Sequence, residues 1–294
     1  MQHSLATPAK NTADHGVLLI SVLLLVDSLH FVFARLLLPH ISPNISAMYV
    51  QGIGTLLIGV YALAIGQLDW RLLRRHVWFF LSIGALIAVS TNLGYIAIQY
   101  VDPGTASMLG KISTLFGIGF GLLWLGERLT RLQWVGAVIA IVGSFTIAFQ
   151  PGDYLQLGSF MILAATLLYA LHTAIVKRYG GGIDFINFFF FRLFSTTVLL
   201  LLWGVAAHAL IWPTINVWLL LLLVAVVDVV ISRVLYYVAL RRLNMSIHSL
   251  ILTLSPAMTI LWSYQLFGQW PTTQQLIGGA AVLVGVMIVL YQKR

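Results

Sequence analysis

The sequence predicts an all-α integral membrane protein of ten transmembrane helices, arranged as two inverted five-helix repeats. Three observations predict it. Apolar runs of about 20 residues recur along the chain, the basic residues gather on one side of the loops, and the chain matches itself at a constant shift of 142 residues. With 60% hydrophobic and 8% charged residues and a mean hydropathy of +0.98, the chain has too little charge for the water-facing surface of a soluble domain, which carries about 25%.

A helix needs about 20 apolar residues to cross about 30 Å of hydrocarbon. The spans predicted on this basis are 16–38, 44–66, 77–99, 104–125, 132–149, 157–177, 184–208, 214–240, 246–267 and 272–291. Stretches such as WLLLLLVAVV do not alternate in polarity, which argues against a β-barrel. Residues 1–15 are polar and form an N-terminal tail. The first span is too long for a signal-peptide core and no small-residue cleavage site follows it, so it is expected to be retained.

With the N-terminus placed in the cytoplasm, twelve of the 16 basic residues fall on inside segments. They are Lys10, Arg71, Arg74, Arg75, Arg128, Arg131, Lys177, Arg178, Arg241, Arg242, Lys293 and Arg294. That is the positive-inside pattern. It puts both termini in the cytoplasm and assigns the net charge of +8 to topology, not to nucleic acid. The sequence has no cysteine, hence no disulfide and no thiolate metal site. No cofactor or metal is expected.

At the 142-residue shift, Gly16 falls on Gly158, Leu29-His30 on Leu171-His172, Thr55 on Thr197, Trp70 on Trp212, Tyr95 on Tyr237, Ala97 on Ala239, Ser107 on Ser249 and Ser113 on Ser255. Gly126, Thr130, Gln133, Gly136 and Gly143 fall on Gly268, Thr272, Gln275, Gly278 and Gly285. Five helices per half is an odd number, so the second half enters the membrane upside down. The expected organisation is a cytoplasmic tail (1–15), a first repeat (16–149), an external linker (150–157), a second, inverted repeat (158–291) and a cytoplasmic C-terminus (292–294). Inverted repeats are the architecture of secondary transporters, with the substrate site near the midplane where the halves meet.

Polar side chains within the spans fall on faces. Ser107, Lys111 and Thr114 form one stripe of the fourth helix, and Ser249, Thr253 and Pro256 the matching stripe of the ninth. Asn92, Tyr95 and Gln99 share a face of the third helix. Asp27 and His30 lie on the first helix, Tyr169 and His172 on the sixth, Arg192 on the seventh, Asp228, Arg233 and Tyr237 on the eighth, and His248 opens the ninth. Helices 1, 3, 4, 6, 8 and 9 are therefore expected around a cavity, with 2 and 7 contributing. Helices 5 and 10, with Gly136, Gly143, Gly278, Gly279 and Gly285, read as packing or lipid-facing elements.

Lys111 is the most informative residue. It lies eight residues from Pro103, roughly 12 Å along a helix, too deep to snorkel easily. It either faces a hydrated cavity or pairs with a carboxylate such as Asp27. The intramembrane acids are Asp27 and Asp228; the bases are Lys111, Arg192 and Arg233. Asp228 and Arg233 are five apart, about 140° around an α-helix, and are not expected to share a face. Arg192 and Arg233 also have a structural reading, snorkelling to the cytoplasmic end. His30 and His172 each have the plainer reading of a satisfied core histidine, and Tyr95 and Tyr237 that of packing aromatics. Asp27 and Asp228 each fit a proton relay or a counter-ion. Pro256, which removes a helix hydrogen bond, and Gly117, Gly119 and Gly121 are candidate flexing points.

The segment AIQYVDPGTASMLGKISTLFGIGFGLLWLGERLTRLQWVGAVIAIVGSF (97–145) resembles the signature half of the drug/metabolite transporter superfamily, the EamA-like proteins. The matching residues are Ala106-Ser107, Gly126 to Thr130, Trp134, Gly136 and Gly143, and the pattern repeats over 239–291 with Pro256 where the family commonly has a proline. The overall pattern is most similar to the YddG-type aromatic amino acid exporters. Three positions depart from the family. Thr114 stands where proline is usual, Gln269 where a glutamate would match Glu127, and Lys111 where an uncharged residue is general. The resemblance implies the drug/metabolite transporter fold and export of small metabolites such as amino acids, broad in range and including aromatic and neutral ones, across the cytoplasmic (inner) membrane.

Two transport readings follow. In the first, an amino acid exporter works by alternating access around a central cavity. Lys111 and Arg233 favour the carboxylate, Asp27 or Asp228 attracts the ammonium, Tyr95, Tyr237 and Trp262 supply apolar walls, and His30, Asn92, Ser107, His172 and Ser255 complete the candidate lining. In the second, protons drive efflux of cationic drugs or quaternary ammonium compounds, with Asp27 or Asp228 titrating and aromatics making cation–π contacts. An enzyme or sensor is disfavoured, because no Ser-His-Asp set, HExxH spacing or Gly-rich phosphate loop is visible. Loops of about four to ten residues (a typical connection length) leave no room for a nucleotide-binding domain. The expected partners are a small-molecule substrate and the lipid bilayer.

Overall fold

A computed structural model describes residues 21–125, 130–148, 157–236 and 254–291. Among them the regular elements are helices, with no strand. In chain order they are α1 (21–27), α2 (His30–Leu37), α3 (Pro43–Ala64), α4 (Trp70–Arg75), α5 (Val77–Ala97), α6 (Pro103–Gly110), α7 (Ser113–Leu125), α8 (Arg131–Ala148), α9 (Leu157–Tyr179) and α10 (Phe185–Ala206). There follow α11 (Ile215–Tyr236), α12 (Ser255–Phe267) and α13 (Thr273–Tyr291). By length and composition five of these, α3, α5, α9, α10 and α11, are able to cross a membrane. Their outward faces stay apolar: Trp78 of α5 is 81%, Leu56 of α3 69% and Leu219 of α11 60% exposed, an arrangement suited to lipid and costly in water. The tail 1–15, the linker 150–156, the terminus 292–294, Glu127, Tyr237, His248, Ser249 and Thr253 lie outside the described residues.

Local chemistry sets the helix ends. Pro43 and Pro103 open α3 and α6, where a missing N–H costs nothing. The Asp102 carboxylate accepts from the Thr105 N–H at 2.9 Å, and Asp184 does the same for Asn187 at 3.0 Å. Asp69 caps α4 by accepting from the Arg71 N–H, a short helix within the predicted loop 67–76. α8 and α13 start with the same reciprocal cap. Gln133 Oε1 accepts from the Thr130 N–H at 2.9 Å, and Gln275 Oε1 from the Thr272 N–H at 2.8 Å; in both, the threonine hydroxyl accepts back from the glutamine N–H. This capping box is the physical reason those residues match at the repeat spacing. Gly66 and Gly268 end their helices in the left-handed region, at φ +66° and +64°, where a side chain is disfavoured.

Two predicted spans are not continuous helices. The run 104–125 divides into α6 and α7 at Lys111-Ile112, where the Lys111 and Ile112 N–H groups bond three residues back, to Met108 and Leu109. The first span divides at Ser28-Leu29, where the Leu29 N–H bonds Val26 O and the Ser28 hydroxyl donates to Leu25 O. A serine bonding back to its own helix competes with the ladder. α12 begins just after a turn at Leu254, with Pro256 in its first turn. α11 has a π-helical segment, Ala225–Ile231. Single-turn tightening or widening leaves hydrophobic periodicity almost unchanged, so the sequence pattern does not reveal it. The interruption in the fourth predicted span therefore falls at Lys111 and not at Gly117, Gly119 or Gly121, which lie within regular helix.

Contacts between the halves have two-fold character. A Cβ on Gly136 would meet Gly285 O at 2.6 Å, and one on Gly285 would meet Gly136 O at 2.5 Å; Gly143 and Gly278 oppose each other in the same way. Since Gly136 corresponds to Gly278 and Gly143 to Gly285, each residue touches the counterpart of the other's mate. α8 and α13 thus run antiparallel through a glycine seam that lets the backbones touch. Between α3 and α10, Thr55 meets Thr197 directly. The interior is apolar and aromatic, with Phe80, Phe189 and Phe191 fully buried.

Candidate functional site

The polar residues of these helices converge on one cavity of about 320 Å³, near the lower end of the range for small-molecule sites. Asp27, His30 and Phe31 reach it from α1 and α2, Gln51 from α3, Ser90, Thr91 and Gly94 from α5, and Ser107, Lys111 and Ser113 from the α6–α7 break. Thr166 and Tyr169 come from α9, Arg192 from α10, Asp228, Arg233 and Tyr236 from α11, and Ser255 from α12.

Each irregularity in the fold lies on this wall. The Lys111 side chain leaves the chain where α6 ends, and His30 stands at the first position after the α1–α2 break. Asp228 sits inside the π segment of α11. A π-turn bonds i to i+5, so residues five apart come close to one face. Asp228 and Arg233 accordingly both line the cavity and lie within electrostatic range of each other. The expectation that they would not share a face assumed an unbroken α-helix.

Asp228 is buried and hydrogen-bonded: its Oδ2 meets His30 Nδ1 at 2.9 Å, while its Oδ1 has no protein partner. The ring of Tyr95 stands edge-on to His30, centroids 6.2 Å apart, supporting the histidine from behind. Lys111 lies in the field of both Asp27 and Arg233, but no carboxylate among the described residues is within ion-pairing distance of its Nζ, so a direct Lys111–Asp27 bridge is not formed. Gln51 Oε1 and Arg192 Nε are two further buried atoms of the lining without a protein partner.

Of the residues predicted from sequence, Asp27, His30, Ser107, Lys111, Asp228, Arg233 and Ser255 are brought together. Tyr95 is buried in the second layer. His172 is buried behind Tyr169, ring centroids 5.4 Å apart. Asn92 is half-buried and outside the lining, its Oδ1 without a partner. Trp262 serves elsewhere, donating from Nε1 to Ser28 Oγ at 3.2 Å. It belongs to a polar cluster beside the cavity, in which Thr259 Oγ1 lies 2.8 Å from Ser28 O and 3.2 Å from Ser107 Oγ. Pro256, Gly117 and Gly119 are not among the residues that line the cavity. Sequence reasoning passed over Gln51, Ser90, Thr91, Thr166 and Tyr236; their signal was the rarity of polar atoms inside apolar runs. Arg192, read as a candidate for snorkelling, reaches the cavity instead. Among the described residues no group of three or more His, Asp or Glu is placed to hold a metal ion.

Comparison with known proteins agrees with this architecture. The model of the EamA-like transporter family matches twice, over residues 14–149 and 156–291, and the two matches begin 142 residues apart. The chain is 27% identical to the uncharacterized transporter YdfC of Bacillus subtilis, over 63% of this chain and 62% of that protein. It is 26% identical to a probable terminal-alkyne amino-acid exporter of Streptantibioticus cattleyicolor, over 65% of each. These matches thus span a little under two thirds of both relatives. The pseudopaline exporter CntI of Pseudomonas aeruginosa is 24% identical over 83% of this chain and 84% of its own. A solved crystal structure superposes on 96% of this chain and 99% of its own with a TM-score of 0.64 and 18% identity, which speaks to the fold alone. Two matches that together cover nearly the whole chain show that it belongs to the EamA-like transporter family.

Proposed function

We propose that this chain exports amino acids across the cytoplasmic membrane by alternating access, through ten spans in two inverted halves with both termini in the cytoplasm. The observation that carries the reading is a cavity whose wall holds fixed charges of both signs. Asp27 and Asp228 line it together with Lys111 and Arg233, and the unpartnered acceptors Asp228 Oδ1 and Gln51 Oε1 suit an ammonium group. A zwitterion matches such a lining at both ends, whereas a quaternary ammonium drug meets more cations than carboxylates. The antiparallel glycine seam and the Thr55–Thr197 contact support the inverted arrangement. Two relatives named as exporters, one of them of an amino acid, support the substrate class and the direction. The relatives carry no aromatic specificity in their names, and the cavity wall is more polar than aromatic, so the YddG-like preference is not part of the proposal.

The test is counterflow into proteoliposomes loaded with labelled amino acids or with a quaternary ammonium dye, with and without a pH gradient. Amino acid counterflow, weakened about tenfold or more in apparent affinity by Lys111→Ala through loss of a charged hydrogen bond, is expected. Dye uptake without amino acid uptake would replace the reading by cationic-drug efflux.

A further inference from the structure

The charge on the cavity wall does not balance for a simple zwitterion. The described lining residues carry two carboxylates, Asp27 and Asp228, and three cations, Lys111, Arg192 and Arg233. The sum is one positive charge with His30 neutral and two with it protonated, so either state leaves room for an additional anion. Asp228 is already engaged by His30, and Asp27 lies in the field of Lys111.

Arg192 is a buried cation of this wall. It is 5% exposed, no carboxylate among the described residues is within ion-pairing distance, and its Nε has no hydrogen-bond partner. Its guanidinium lies 5.3 Å from the Phe189 ring centroid, a contact that steadies the plane but supplies no counter-charge. The nearby His172 is buried and offers no anion. A buried guanidinium is retained when something satisfies its fork of donors, and carboxylate geometry is what that fork fits. The side open to a partner is the cavity.

Position decides which anion. Lys111 lies eight residues from the Pro103 end of α6. Arg192 lies seven residues from the Phe185 end of α10, which is on the opposite side of the bundle, because Arg178, just before it in the chain, donates to Trp124 O at the far end of α7. At 1.5 Å per residue, the two backbone positions are about 10 Å apart along the bundle. A separation of that order can be bridged by one amino acid held at both ends by long side chains.

We infer that Arg192 is a second carboxylate-binding residue, and that the preferred substrates carry one ammonium and two carboxylates, with a net charge of −1. The inference rests on the amino acid reading above. One carboxylate lies at Lys111 with its ammonium toward the acid groups, and the other lies at Arg192, which brings the cavity close to neutrality. The residue thus sets specificity and takes part in no chemical step.

Counterflow of labelled glutamate and glutamine, equal in length and different by one charge, tests this in proteoliposomes of the wild type, Arg192→Gln and Arg192→Lys. A wild-type preference for glutamate of about tenfold or more in kcat/KM is expected, carried by KM, abolished in Arg192→Gln and partly kept in Arg192→Lys. Glutamate, but not glutamine, should raise the Tm of the purified wild type. Glutamine moving as well as glutamate in the wild type overturns the inference and leaves the amino acid reading standing, as does a preference that survives Arg192→Gln. Neither substrate moving, nor any neutral amino acid, overturns both. Where Arg192→Gln does not fold, the wild-type ratio and the Arg192→Lys KM decide.

Discussion

Thr55 and Thr197, 142 residues apart, hydrogen-bond to each other through their Oγ1 atoms at 2.8 Å. Residues equivalent in two repeats touch each other only where the two-fold relation between the repeats passes, so this bond marks its position between α3 and α10. Thr55 Oγ1 also donates to Gln51 O at 2.8 Å, the backbone carbonyl of a cavity residue. Thr55→Val should lower stability by about 1 kcal/mol, the usual scale for a hydrogen bond between helices in a membrane. The double variant Thr55→Val with Thr197→Val should cost less than the sum of the singles, read by thermal unfolding in detergent. Additive losses would mean the two hydroxyls act separately.

The glycines divide into two kinds, and alanine distinguishes them. At Gly136 and Gly285 a Cβ would press on a backbone carbonyl of the opposite helix at 2.5–2.6 Å, and a backbone cannot swing aside as a side chain does. Alanine at either should therefore lower Tm sharply, with overpacking losses of about 1–3 kcal/mol. At Gly117 and Gly119 nothing lies within 4 Å, so alanine there should leave Tm unchanged or raise it, by up to about 1 kcal/mol of helix propensity. Transport unchanged in Gly117→Ala and Gly119→Ala would place the flexing of this segment at Lys111-Ile112.

The His30–Asp228 pair ties α2 to the π segment of α11. Removing one member leaves a buried charge or dipole without its partner, a loss of about 3–5 kcal/mol when the pair is fully buried; with the His30 side chain 30% exposed the loss should fall below that range. Asp228→Ala should destabilise the protein more than His30→Ala does, since Asp228 is the more deeply buried partner. Combining the two should restore part of the loss. Chemical denaturation of the three variants measures the coupling.

The cluster of Thr259, Ser28, Ser107 and Trp262 adjoins the cavity through Ser107. The positions 142 residues away from Thr259, Ser28 and Trp262 are Gly117, Ala170 and Phe120, none with a hydroxyl, so the inverted copy cannot form the same latch. Thr259→Val should favour opening at this cluster by about 1 kcal/mol, or roughly fivefold. The chain has no cysteine, so a single Ala106→Cys, fully buried beside the latch, reports opening by its rate of thiol labelling. An unchanged rate would make the cluster plain packing.

The sequence by itself determined the class of protein, the repeat and its spacing, and which helices bring polar atoms to the centre. These depend on properties that accumulate over many residues: hydrocarbon-length apolar runs, loop charge, and matched Thr-x-x-Gln caps and glycines at one offset. Only the tertiary structure decided the breaks at Ser28-Leu29 and Lys111-Ile112, the π-turn that brings Asp228 and Arg233 to one wall, and the inward course of Arg192. Each turns on one or two backbone hydrogen bonds shifting by a residue, or on which neighbour a long side chain meets. Such choices are made by the packing of helices far apart in the chain, and no local pattern of residues encodes them.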